Sequence, residues 1–209
     1  MLAIVDYGVG NLFSLRSSLR FLGCEAVVSG DPDILAQASH LILPGVGAFG
    51  DAAKKLWDSG LDRAVLRHAD AGKPLLGICV GMQLLLERSF EYGEHKGLGL
   101  IAGDVVPIRP VVPEDYKIPH IGWNVLHFPA GQTRAPIFRD CWEGVHVYFV
   151  HSYFADHCPD VIATTEYGAE LTAAVGRENV YGCQFHPEKS GPVGLRILKA
   201  FCEMEGPSC

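Results

Sequence analysis

Lys73-Pro74-Leu75-Leu76-Gly77-Ile78-Cys79-Val80-Gly81-Met82-Gln83 begins as a short apolar run behind a Gly-Lys-Pro break and continues into Leu84-Leu85-Leu86, which reads as helix. Between the two sits a G-x-C-x-G. A strand that turns abruptly into a helix forces the residue at the turn into a strained backbone conformation. It also needs small neighbours, because a Cβ at either glycine would meet adjacent backbone. Such a turn lifts the Cys79 side chain above the sheet at the positive end of the following helix, a field that favours thiolate. The plainer alternative is a buried strand-end cysteine, since free cysteines are often core residues.

The pattern on either side of this stretch is that of an α/β protein. Leu2 to Asp6 reads as a strand. Leu12, Leu15, Leu19 and Leu22 share one face of a helix closed by Gly23. Glu25 to Val28 is a second strand, Asp31-Pro32 supplies N-cap and first helical residue, and His40 to Leu43 is a third strand. This alternation predicts a mainly parallel central sheet flanked by helices. Sites in such sheets form at the carboxyl ends of strands, where Asp6-Tyr7-Gly8, Pro44-Gly45-Val46-Gly47 and Cys79 all fall. From Gly103 to Val150 short β runs broken by proline and glycine suggest an added antiparallel β region on the edge of that sheet. Ile162–Thr165, Leu171–Val175 and Val180–Gln184 read as further strands, followed by a helix with Val193, Ile197, Leu198 and Phe201 on its apolar face. No linker or repeat divides residues 1–209, so a single domain is expected.

Composition narrows the function. The chain is 48% hydrophobic and 20% charged, as in an ordinary soluble protein. A net charge of −7 with scattered acidic residues argues against a nucleic-acid partner held through phosphates. No apolar run is long enough for a membrane span, and the N-terminus has no signal-like pattern. Seven unevenly spaced cysteines without a C-x-x-C fit a reducing cytoplasm and a reactive thiol better than a disulfide framework. Cys141, His146, His151, His157 and Cys158 cluster loosely but lack metal-site spacing, so no metal is expected. The Pro44-Gly45-Val46-Gly47-Ala48-Phe49-Gly50 loop lacks the G-K-[ST] ending of a phosphate loop, and Gly8-Val9-Gly10 lacks a third glycine, so nucleotide binding is a weak reading.

A thiolate nucleophile needs a base. His186 follows the Val180–Phe185 run, Pro187 stops the strand, and Glu188 lies two residues on. A histidine and carboxylate at i and i+2 point the same way in an extended segment. Cys79, His186 and Glu188 thus supply nucleophile, base and orienting carboxylate. The N–H of Val80, directly after the nucleophile, is the natural first oxyanion donor.

Cys79 within Gly77–Gln83, taken with Phe185-His186-Pro187-Glu188-Lys189-Ser190, resembles the class I glutamine amidotransferases. Asp6–Asn11, Leu43–Phe49, Lys96–Leu100, Pro119-His120-Ile121-Gly122-Trp123-Asn124 and Tyr148–Tyr153 extend the resemblance to one branch of that family, the glutaminase subunits of imidazole glycerol phosphate synthases. It covers essentially the whole chain except Glu205–Cys209, which is expected to be a frayed tail.

The resemblance implies a flavodoxin-like core and hydrolysis of glutamine to glutamate and ammonia without a cofactor. It also implies delivery of the ammonia to a (β/α)8-barrel cyclase subunit in histidine biosynthesis. A second oxyanion donor is implied in the Gly45-Val46-Gly47 strand, which reorients when the partner is loaded. Gln83 and Glu91 match positions that hold glutamine, Glu91 taking the α-ammonium, and Ser152 and Tyr153 present backbone to its α-carboxylate. Asn11, Trp123, Tyr148 and Lys189 are candidates for the face that meets the cyclase. Three alternatives stay open: a paralogous glutaminase feeding another synthase, such as one for surface-polysaccharide amino sugars; an idle interaction protein; and a different triad hydrolase.

Overall fold

A computed structural model describes residues 1–131 and 133–206. Cys209 and most of the expected frayed tail therefore lie outside the described residues. The chain opens with β1 (Leu2–Val5), α1 (Leu12–Phe21), β2 (Ala26–Ser29), α2 (Pro32–Gln37) and β3 (His40–Gly45). Two helices follow, α3 (Phe49–Asp58) and α4 (Leu61–Asp70), then β4 (Leu75–Cys79) and α5 (Val80–Leu85). Next come five strands: β5 (Arg88–Ser89), β6 (His95–Lys96), β7 (Asp104–Pro107), β8 (His120–Val125) and β9 (His146–His151). The remainder is β10 (Tyr153–Asp156), β11 (Val161–Glu166), β12 (Glu170–Arg177), β13 (Val180–Cys183) and α6 (Gly191–Cys202).

Seven strands form the main sheet in the order β11-β12-β13-β4-β3-β1-β2. The five from β13 to β2 run parallel, and β11 and β12 add an antiparallel edge. The expected helix end at Gly23 and cap at Asp31 are both present. Asn11 caps α1, Gly23 at φ +75° ends it, and the Asp31 carboxylate accepts from Asp33 N–H at 2.8 Å ahead of Pro32–Gln37. β1, β3 and β4 are buried along their whole length, which explains why they read as continuous apolar runs. In α3, Phe49, Ala52, Ala53 and Leu56 form the buried face at helical spacing.

The expected edge region over Gly103–Val150 is corrected by the structure. Those residues do not extend the main sheet. β7 joins a separate four-stranded sheet, order β10-β7-β5-β6, and β8 and β9 form a two-stranded antiparallel ribbon. The polar stretch after Cys79 contains two of those strands, β5 and β6. The main sheet's antiparallel edge comes from the later strands β11 and β12. The ribbon is fixed over the end of β13: His186 N–H donates to the Tyr148 carbonyl and Tyr148 N–H to Ser190 Oγ, both at 2.9 Å.

Backbone segments approach very closely where β4 turns into α5. Leu43, Pro44 and Gly45 of β3 pair in register with Gly77, Ile78 and Cys79. A Cβ on Gly81 would stand 1.9 Å from the Leu43 carbonyl oxygen, and one on Gly77 would stand 2.6 Å from that of Gly81. Both flanking glycines are therefore required by close backbone approach. Gly81→Ala is expected to lower the denaturant midpoint, by an amount corresponding to roughly 1–3 kcal/mol or more, with an unchanged slope. Wild-type stability in that variant would show that the crossing is not the constraint it looks like.

Candidate active site

Cys79 is the last residue of β4 and the N-cap of α5, with φ +55° and ψ −113°. An L-residue in that region is strained by roughly 1–3 kcal/mol and persists only where its surroundings hold it. The turn puts Cys79 at the wall of a cavity of about 290 Å³ lined also by Val46, Gly47, Val80, Gln83 and His186. Glu91, Pro119 and the Val150–Tyr153 segment close the cavity. Val80 opens α5, so its N–H has no helical acceptor.

His186 follows β13 and is 2% exposed. Its Nδ1 donates to Glu188 Oε1 at 2.9 Å, which leaves Nε2 as the ring's other working atom. The reason differs from the sequence expectation. His186 and Glu188 do not sit in an extended segment; Pro187–Lys189 forms a turn of 3₁₀ helix, and that turn brings the carboxylate back under the ring. Burial acts to lower the imidazole pKa, but the contacts with Cys79 and Glu188 outweigh it and raise it to about 9. The pair thus favours a proton on His186 beside the Cys79 sulfur. Burial and the nearby Cys79 both raise Tyr7 well above a usual phenol, so its hydroxyl stays protonated and donates to the Pro44 carbonyl at 2.6 Å. This bond tethers the glycine-rich strand beside the nucleophile.

The sequence-derived residues separate into groups. Val46, Gly47 and Val80 reach the cavity, and Gly47 holds φ +87°. Gly45 does not: it is buried against α5, where a Cβ would meet Gly81 N at 2.5 Å, and it faces a second, smaller cavity with Asn11, His186 and Glu188. Gln83 and Glu91 both line the main cavity. One Glu91 oxygen accepts from Phe49 N–H at 2.6 Å, and burial raises the carboxyl pKa. Gln83 uses its Nε2 within the wall, on the Tyr153 carbonyl at 3.3 Å and Gln184 Oε1 at 3.0 Å. Ser152 and Tyr153 line the same wall.

Trp123, Tyr148 and Lys189 meet on one outward patch. Trp123 is 56% exposed, its ring lies 6.2 Å from that of Tyr148, and Lys189 Nζ sits 6.0 Å from the Tyr148 ring. Asn11 is the N-cap of α1 and lines the small cavity that His186 and Glu188 also line. Among the described residues no three His, Cys, Asp or Glu side chains come together as a metal site, and no helix is long and apolar enough to cross a membrane. His151 of the loose His/Cys set turns instead to His120, 2.9 Å away.

One polar residue at the site was invisible in the sequence. Gln184 is fully buried, and its Nε2 points to Cys79 Sγ at 3.8 Å. As the residue next after β13, it reads only as part of an apolar strand. Its one sequence signal is an amide two residues before His186.

The profile described as Glutamine amidotransferase class-I matches residues 3–204. Imidazole glycerol phosphate synthase subunit HisH of Wolinella succinogenes is 47% identical over 207 residues, covering 98% of this chain and 100% of the relative. The protein of the same name from Geobacillus kaustophilus is 49% identical over 205 residues, covering 96% and 95%. The chain belongs to the HisH family of class-I glutamine amidotransferases. Its fold is shared with a glutamine amidotransferase crystal structure at TM-score 0.73 and 21% identity, covering 96% of this chain and 97% of that one. PurLQS from Thermotoga maritima matches at TM-score 0.73 and 20% identity, covering 96% of each chain. At these identities the likeness concerns the fold alone. HisH family membership makes the chain a glutamine amidotransferase, an enzyme, and the α/β fold with its mostly parallel sheet is the one expected.

The raised His186 pKa has a sign that can be checked. Its bound proton stabilises the fold fully below about 6.5, and that contribution is lost as pH rises through about 9. An NMR titration of the His186 ring should give a midpoint well above the ordinary 6.5. In Cys79→Ala that midpoint should move down, because one of its two supports is gone. An unchanged midpoint would mean the sulfur does not interact with the ring.

Proposed function

We propose that the protein is the glutaminase subunit of an imidazole glycerol phosphate synthase. It hydrolyses glutamine to glutamate and ammonia and passes the ammonia to a (β/α)8-barrel cyclase in histidine biosynthesis. The observation that carries the chemistry is the strained Cys79 at a cavity wall, with the buried His186–Glu188 pair beside it. Kinship with HisH proteins at nearly full length supports the pathway.

In this reading the Cys79 thiolate attacks the side-chain amide carbon of glutamine and forms a tetrahedral adduct. The Val80 N–H meets the developing oxyanion. Protonated His186 gives its proton to the amide nitrogen, the C–N bond breaks, and ammonia leaves a thioester on Cys79. Neutral His186 then takes a proton from water as that water attacks the thioester, and glutamate departs with the thiolate restored. Glu188 holds Nδ1, so Nε2 stays turned to the reacting atoms. Glu91 receives the α-ammonium with the oxygen not used by Phe49, and the Ser152–Tyr153 backbone receives the α-carboxylate.

A second oxyanion donor comes from the Gly45–Gly47 strand when its peptide reorients. The positive φ at Gly47 is a conformation glycine adopts and leaves easily, and the space around its Cβ position is open. Trp123, Tyr148 and Lys189 form the core of the face that meets the cyclase, and Asn11 lies at its side. The exposure of Trp123 against half-buried Tyr148 supports this reading.

Glutamate release should be low for the protein alone and rise strongly with the cyclase carrying its nucleotide substrate. Cys79→Ala should abolish it under both conditions, and appreciable residual turnover would assign the nucleophile elsewhere. Gly47→Pro fixes φ near −65° and should remove the stimulation, a loss of about 2.7–4 kcal/mol of barrier lowering. Normal stimulation in that variant would sink the reorientation. Turnover in the wild type that ignores the cyclase would favour a paralogue serving another synthase.

A further inference from the structure

Behind the cavity wall lies a set of polar side chains that the triad does not use. Gln184 is 0% exposed, Gln83 and His120 3%, and His151 5%. Groups this buried are expensive unless every donor and acceptor is matched. Here the matching determines which atom carries each hydrogen.

One run starts at Asn124. Its Oδ1 accepts from Val125 N–H at 2.8 Å, and its Nδ2 lies 2.7 Å from the Glu166 carbonyl, which can only accept. The same Nδ2 reaches His120 Nε2 at 3.3 Å, so that ring atom is the acceptor and His120 Nδ1 carries the proton. His120 Nδ1 donates to His151 Nε2 at 2.9 Å, and His151 Nδ1 in turn donates to the Tyr153 carbonyl at 2.9 Å. Both rings are therefore neutral and of a single tautomer. Burial, which pushes His120 down to about 4 and His151 to about 3, agrees with that assignment.

A second run meets the first at the same carbonyl. Tyr153 O also accepts from Gln83 Nε2, and the remaining hydrogen of that amide goes to Gln184 Oε1. Gln184 is thereby turned with its nitrogen toward Cys79 Sγ, at 3.8 Å. A nitrogen donor facing the sulfur favours thiolate; a reversed amide would place an oxygen there and oppose it. His151 spans Ser152 to reach Tyr153, so it clamps the stretch of backbone that lines the cavity.

We propose that Gln184 and the His120–His151 pair are positioning residues for glutamine hydrolysis, Gln184 orienting a donor onto Cys79 Sγ and the histidine pair holding the Ser152–Tyr153 wall that receives the substrate. This rests on the glutaminase reading. Removal of the Gln184 donor weakens the hydrogen bond to the attacking sulfur, and removal of the histidines loosens the binding wall. The two changes therefore have different kinetic signatures.

The test uses the full chain with its barrel cyclase, measuring glutamate release together with iodoacetamide alkylation of the Cys79 peptide followed by mass spectrometry. Gln184→Met, which keeps the volume, should lower kcat and the alkylation rate at neutral pH roughly tenfold, with KM nearly unchanged. Gln184→Glu, which keeps the acceptor for Gln83 but replaces the donor, should slow alkylation at least as much. His151→Leu should raise KM several-fold with little change in alkylation rate. His151→Asn can still donate to the Tyr153 carbonyl, so it should recover most of the loss. Thermal melts identify any variant that fails to fold; if Gln184→Met does, Gln184→Glu decides, and if His151→Leu does, His120→Leu replaces it with the same expected rise in KM. Folded Gln184 variants that alkylate at the wild-type rate, or a folded histidine-to-leucine variant with wild-type KM, would overturn the inference. Wild-type protein that releases no glutamate even with the loaded cyclase would overturn the glutaminase reading and this inference with it, whereas an active wild type beside unaffected variants overturns this inference alone.

Discussion

The structure depends on one backbone crossing. β3 and α5 approach so closely at Leu43–Gly45 and Gly81 that no side chain fits between them, and Cys79 is held at a positive φ as a result. This one constraint explains several features at once. It requires glycine at 45 and 81, it projects the sulfur off the end of β4, and it leaves the first N–H of α5 without a helical acceptor where charge would develop. It also places Gly45 beside Cys79 in register, so any movement of the glycine-rich strand is felt directly at the nucleophile. The Tyr7 hydroxyl on the Pro44 carbonyl anchors that strand on one side while leaving Val46 and Gly47 exposed on the other.

Three buried histidines around the cavity show that burial lowers an imidazole pKa unless charged partners outweigh it. His186 is flanked by a carboxylate and a sulfur, and its pKa is raised. His120 and His151 face each other, an amide and a carbonyl, none of which offsets burial, and burial lowers theirs. The first arrangement stores a proton next to the reacting atoms. The second removes charge from the wall that surrounds them, which keeps the local field under the control of the Cys79–His186–Glu188 set. A single residue type serves both purposes because the partners differ.

Local constraints were the legible part of the sequence. A glycine at each side of Cys79, the cap at Asp31 and the apolar runs of β1, β3 and β4 each follow from sterics or burial within a few residues, and the structure keeps them all. Long-range placement was not legible in the same way. Nothing near residues 103–150 says that their strands form a separate sheet and a ribbon, because β7 pairs with β10 and β5, and the ribbon is held by bonds to Ser190 and His186 far along the chain. The His186–Glu188 contact was expected for the wrong reason, since proline forms a turn where an extended segment was assumed. Gln184 was missed because its significance lies in Gln83 and Cys79, each about a hundred residues away in sequence. Polar residues in apolar strands carry information only once their partners are known.

The central claim is that Cys79 is the nucleophile of a glutamine-sized cavity. It is tested most directly with a glutamine analogue that carries an electrophilic carbon in place of the amide. Mass spectrometry of the treated protein should find one adduct, on the peptide containing Cys79, and excess glutamine should prevent it. Labelling that spreads over the other thiols, or that glutamine does not block, would contradict the account.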